Sequence, residues 1–151
     1  MLPFRSQPPA PRLPEGCQLL QNSWPDCDGL NRLLQLAGEA PRPQERWQRL
    51  LERSLWHLAV TGAGGELLGF VRATSDLALN ANLWDLLSNP ADPGRGAILQ
   101  ALVHGSLQRL RRELAGCSIS LSAPPEALRA LERHGFVLDP GGIRAMGLRL
   151  R

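Results

Sequence analysis

Apolar and polar positions recur along this chain with two different periods, and each change of period marks an element boundary. Residues 17–23 (CQLLQNS) alternate as a short first strand. Leu30, Leu33, Leu34 and Ala37 then follow helical spacing behind Asp26 or Asp28 as the cap, and Gly38 and Pro41 stop that helix. A second helix opens near Pro43, with Trp47, Leu50, Leu51, Ser54 and Leu55 on one face. Residues 55–60 (LWHLAV) and 66–74 (ELLGFVRAT) read as two strands joined by TGAGG, and residues 83–88 (LWDLLS) as a third, closed by Asn89-Pro90. A long helix covers about 96–114, with Leu99, Leu102, Val103, Leu107, Leu110 and Leu114 as its inner stripe. Residues 117–121 (CSISL) form a buried-type strand. Ser122 is placed to cap a helix that opens with Pro124-Pro125, turns Leu128 and Leu131 inward and ends at Gly135. Residues 136–138 and 143–150 are expected as two last strands around the Asp139-Pro140-Gly141-Gly142 turn.

Strands and helices in this order predict an α/β domain of three layers, a mixed sheet with helices on both faces. Residues 1–16 hold five Pro and are expected to be extended or disordered, which leaves 17–151 as a single domain. At 151 residues the chain buries about two thirds of its unfolded surface and needs no staple. Composition then removes several chemistries. All 17 basic residues are Arg and Tyr is absent, so no Schiff-base lysine, Walker-type lysine or phenolic acid is available. The net charge of +3, with no basic run and no stacking aromatics, speaks for a solvated arginine surface rather than a nucleic-acid face. Cys17, Cys27 and Cys117 are odd in number and lack metal-ligand spacing, so no metal site is expected. With no signal-type core and no long apolar run, a cytoplasmic protein without membrane contact is expected.

The sharpest local feature is the strand–loop–helix LWDLLSNP-ADPGRG-AILQALV. Free amides at a helix start, behind a loop with Gly94 and Gly96, make a ready anion site, and Arg95 between them adds a fixed positive charge. The same residues also serve an ordinary turn.

This order of elements, the stretch GFVRATSDLALNANLWDLLSNP and the later RHGF together resemble the GNAT family of N-acetyltransferases, in particular its chloroplast and cyanobacterial branch. The resemblance implies the GNAT-like three-layer fold with acetyl-CoA as co-substrate. It implies that the backbone of Leu86, Leu87 and Ser88 pairs with the pantetheine arm where the fourth strand splays from the fifth. It places the pyrophosphate loop on Pro93, Gly94, Arg95, Gly96, Ala97 and Ile98, with up to five amides, Gly94 to Ile98, turned to the phosphates. Pro93 has no amide to give, and Ile98 is branched where the family keeps the side chain minimal. The family's tyrosine acid falls on Leu131.

The function implied is acetyl transfer from acetyl-CoA to a primary amine, small or protein-borne. The oxyanion is then held by an amide near Leu87, with Asp85 or a water chain as base. Strand alternation turns Asp85 to the face opposite Trp84 and Leu86, where an apolar setting raises its pKa. His134 either protonates the leaving thiolate or complements the helix end. Asp76, Asn80 and Asn82, in the loop before the strand, and Trp84 beside them either line an amine pocket or make turns. The alternative is a catalytically degenerate GNAT-fold protein that serves as a binding or assembly module, as a monomer or homodimer, since Pro93, Ile98 and Leu131 all depart from the family pattern.

Overall fold

The structure is a computed structural model that describes residues 8–142, 144 and 146–150. Five strands form one sheet in the order β1 (Gln18–Gln21), β2 (Trp56–Thr61), β3 (Leu67–Ser75), β4 (Asn80–Ser88) and β5 (Ser118–Ser120). Neighbours are antiparallel from β1 to β4, and β4 meets β5 in parallel. Helices α1 (Cys27–Leu36) and α2 (Gln44–Arg53) cover one face; α3 (Arg95–Glu113) and α4 (Leu128–Arg133) cover the other.

Strand alternation sorts the core into these two layers. In β2, Leu58 and Val60 pack toward α3 while Ala59 packs toward α1 and α2; in β3, Val71 and Phe70 divide in the same way. A strand covered on both sides carries apolar residues at successive positions, which is why these runs read as continuous rather than alternating. Local rules hold at the helix ends as well. The Asp26 carboxylate accepts from the Gly29 amide at 2.6 Å and caps α1. Gly135 ends α4 with φ of 91°, a left-handed turn that a side chain would strain.

The sequence expectations fail at three places. Residues 136–138 and the described part of 143–150 (144 and 146–150) form no strand, so among the described residues the sheet ends at β5. Met146, Leu148 and Leu150 alternate as strand residues do, yet they are 96%, 88% and 87% exposed. Alternation specifies a face; a strand also needs a neighbour to complete its hydrogen bonds. Ser122 caps nothing: Pro124 stands at the cap, a 3₁₀ turn Pro125–Ala127 follows, and α4 starts only at Leu128. Finally, β4 begins at Asn80, so Asn80 and Asn82 lie in the strand and not in the loop before it.

His57 in β2 is buried between Trp24 and Phe70, and its Nε2–H donates to the Ser23 carbonyl. Burial pushes this imidazole below its ordinary value, a direction that the Arg109 charge reinforces and the Ser23 bond opposes. A histidine kept neutral in the fold takes up its proton more readily when unfolded. Its contribution is therefore full above about pH 6.5 and is lost as the pH falls through the lowered native value. Denaturation midpoints measured between about pH 7 and 5 should fall, and His57→Gln should flatten the slope. Among the described residues no helix is long and apolar enough to cross a membrane.

Candidate functional site

The site begins where two strands part. β4 and β5 pair only at Asn80↔Ser118, Ala81↔Ile119 and Asn82↔Ser120, although β4 continues to Ser88. The Ser120 hydroxyl donates to Asn82 Oδ1 at 2.7 Å, clipping the strands at the last shared pair. Beyond it, residues 83–88 pair with β3 alone and leave an open edge on the β5 side, ready for an extended ligand.

That open stretch contains a bulge. The β3–β4 register slips between Phe70↔Leu87 and Arg72↔Trp84, and Asp85 sits at φ of 52°. Side-chain parity flips across it: Ala81, Leu83 and then Leu86 all face α3, while Leu87 faces α1 and α2. This corrects the placing of Asp85 by alternation. Its side chain lies on the same face as Trp84, since Arg72 reaches both, with its guanidinium 5.7 Å from the Trp84 ring and its Nε 2.6 Å from Asp85 Oδ2.

The pKa expectation is corrected too. Asp85 is nearly buried, and burial alone raises its pKa. The hydrogen bonds and charges of Arg42, at 2.7 Å, and Arg72 outweigh burial and hold the carboxyl below the usual carboxylate range. An acid that stays ionised under two arginines accepts no proton at neutral pH. The hint was present in β3, where Arg72 interrupts an apolar run; a charge there requires a buried partner.

At the far end of the open edge stands the start of α3. The Gly94 amide donates to Asp92 Oδ1 at 2.7 Å, the Arg95 amide to the Asp92 carbonyl and the Ile98 amide to the Gly94 carbonyl. Only the Gly96 and Ala97 amides lack a partner among the described residues, so two amides are offered rather than five. Gly96 is open, with nothing within 4 Å of where a Cβ would stand. Gly94 is not: a Cβ there would lie 2.4 Å from Pro14 Cγ, so the N-terminal segment itself fills that space. Arg95 reaches Ser88 Oγ at 2.8 Å and Glu126 at 2.9 Å. Ile98 is fully buried in the core on the α3 side, its side chain against Gly69 of β3 and away from the open edge.

The other predicted residues divide. Trp84 is 45% exposed, held by its indole N–H on the Thr74 hydroxyl at 2.7 Å, and stays available to a ligand. Asp76 is spent on the amides of Ala78, Leu79 and Asn80, which hold its carboxyl down to about 2. Asn80 completes that turn. Leu131 is core. His134 bonds the Ala130 carbonyl through Nδ1 at 2.7 Å and packs its ring on His104 of α3. Among the described residues no cluster of His, Cys, Asp and Glu can hold a metal ion.

The chain is 31% identical over 120 residues to an uncharacterized N-acetyltransferase, ycf52, of Pyropia yezoensis, covering 78% of this chain and 68% of that protein. The chain belongs to the GNAT family of N-acetyltransferases. It is also 32% identical over 127 residues to the chloroplastic serotonin N-acetyltransferase 2 of Oryza sativa subsp. japonica, of which it spans 61%. No protein-family model matches. Solved structures show the same GNAT fold. A probable acetyltransferase of Staphylococcus aureus superposes with a TM-score of 0.76 at 17% identity, over 89% of this chain and 99% of that one. The Escherichia coli GNAT protein YhbS, solved in complex with CoA, superposes at 0.61 and 24% identity, over 86% and 72%.

Proposed function

We propose that this GNAT protein transfers the acetyl group of acetyl-CoA to a primary amine. One observation carries the reading: the edge of β4 that opens after Asn82 runs to the two free amides of Gly96 and Ala97, with Arg95 beside them. An acyl carrier with an amide-bearing arm and a diphosphate has the shape and charge of that path. Its arm would extend along residues 86–88 as an added strand, and its diphosphate would meet the α3 start. The bulge at Asp85 aims backbone of β4 at the thioester, where an amide can stabilise the oxyanion.

The amine attacks the thioester carbon, the C–N bond forms and the C–S bond breaks. The sulfur leaves as thiolate and takes its proton from water, since Leu131 stands where the family places its phenol. Absence of such an acid costs roughly 10²–10⁴ in rate, so a slow enzyme is expected. The amine proton leaves to a water chain, because Asp85 is engaged. Trp84 stands beside the reacting end and gives an apolar face to the acceptor.

Calorimetric titration with CoA, followed by thiol release from acetyl-CoA against aromatic amines and peptide N-termini, tests the reading. Saturable binding, with kcat/KM rising with pH toward the pKa of the amine, is the expected result. A bell centred on an enzyme carboxylate would overturn the water-chain route. No binding at millimolar CoA would favour the degenerate module, a reading supported by the buried Leu131 and the engaged Asp85.

A further inference from the structure

The open edge of β4 has a second wall, the chain that follows β5, and Arg95 spans the two. Its Nε bonds Ser88 Oγ at the end of β4 while its Nη2 pairs with Glu126 Oε1, in the 3₁₀ turn that leads into α4. Arginine and glutamate are each about 28% and 27% exposed, so the pair is partly shielded from solvent. A cavity of about 220 Å³ lies directly behind it between α3 and α4, lined by Gly96, Glu126, Arg129 and Arg133 among others. The Arg95 guanidinium at the start of α3 is thus already matched by an anion, although the phosphate reading wants it free.

We infer that Glu126 is an affinity-setting latch: its carboxylate occupies Arg95 in place of the carrier's diphosphate, and binding exchanges one anion for the other across the cleft. The inference rests on the proposed function, because it concerns the same phosphate end. A carboxylate about one hydrogen bond from the arriving phosphates repels them, and it also withholds the arginine that should pair with them. Both effects weaken CoA and both vanish when Glu126 becomes neutral. Glu132 lies in α4, the helix into which this turn leads, is exposed and carries the same charge, so it reports the bulk effect of losing one negative charge.

CoA affinity should be measured by calorimetry at low ionic strength for wild type, Glu126→Gln, Glu132→Gln, Arg95→Ala and the Arg95→Ala/Glu126→Gln pair. Glu126→Gln should bind about tenfold tighter, equivalent to about 1.4 kcal/mol, and Glu132→Gln should change affinity less than about twofold. In the Arg95→Ala background the gain from Glu126→Gln should shrink to about threefold or less, the coupling expected of a contact pair. Equal or weaker binding by Glu126→Gln, while wild type binds, overturns the latch and leaves the proposed function standing. A full tenfold gain without Arg95 also overturns it, because Glu126 then acts by repulsion alone. Absence of binding in both wild type and Glu126→Gln overturns the latch and the acetyl-CoA reading together.

Discussion

Asp85→Ala should cost about 3 kcal/mol of stability, because it strands two arginines rather than removing a base. Truncating one partner of a buried ion pair costs about 3–5 kcal/mol. The lower end applies because the Arg42 side chain keeps 21% exposure while Arg72 keeps 13%. For a domain of this length the melting temperature should fall by about 6–12 °C. Replacing Arg42 and Arg72 by Met in the same background removes the stranded charges and should recover most of the loss. The pH dependence has a definite sign. Asp85 has a native pKa below its unfolded one, so its contribution is full above about pH 4 and disappears as the pH falls through the native value. Asp85→Ala should therefore lose less stability than wild type over that acid window. A variant that keeps its melting temperature but loses kcat, with a pH profile that loses its acidic limb, would show that Asp85 is a base after all.

The ion triad also shows what a single sequence makes legible. Among the described residues, periodicity and its Gly and Pro breaks located the four α-helices and five strands, because burial on one or both faces is written into residue spacing at short range. The GNAT resemblance gave the family and the fold, and the strand–loop–helix at residues 83–98 forms as read, with β4 ending at Ser88 and α3 starting at Arg95. What stayed hidden was long-range or sub-residue in scale. The Asp85 bulge shifts parity by one position, and no spacing rule marks such a shift. Arg42 comes from the loop between α1 and α2, 43 residues from Asp85, so its contact exists only once the layers close. Pro14 reaches Gly94 from the N-terminal segment, which composition alone reads only as extended or disordered. The last two expected strands failed for the opposite reason: their alternation was visible, but nothing local reveals whether a partner edge is present.

Ile98 separates a family pattern from a core requirement most sharply. As a motif position it looks like an obstruction to phosphates; in the fold its side chain is fully buried against the α-carbon of Gly69, where a methyl would stand 2.7 Å from Ile98 Cγ2 and 3.0 Å from Leu102 Cδ1. The two positions are matched: β3 lacks a side chain so that α3 can lie close. Ile98→Gly should then open no phosphate space. It removes a buried branched side chain, at about 2–5 kcal/mol, and loses about 1 kcal/mol more through the poor helix propensity of glycine. Total stability of an ordinary domain is only about 5–15 kcal/mol, so a substantial unfolded fraction is expected. Gly69→Ala should also destabilise, by about 1–3 kcal/mol through overpacking. Combined with Ile98→Ala it should cost less than the sum, because the new methyl fills part of the space vacated. Gly96→Ala is the counterpart. With open space at position 96 inside the first turn of α3, the methyl should leave stability unchanged or raise it by up to about 1 kcal/mol. It should nevertheless weaken CoA binding, because it stands beside one of the two free amides. Denaturant titration and calorimetry on the same variants check both halves. Tighter CoA binding by Ile98→Gly with stability retained would place the isoleucine in the phosphate path and overturn this division between core and site.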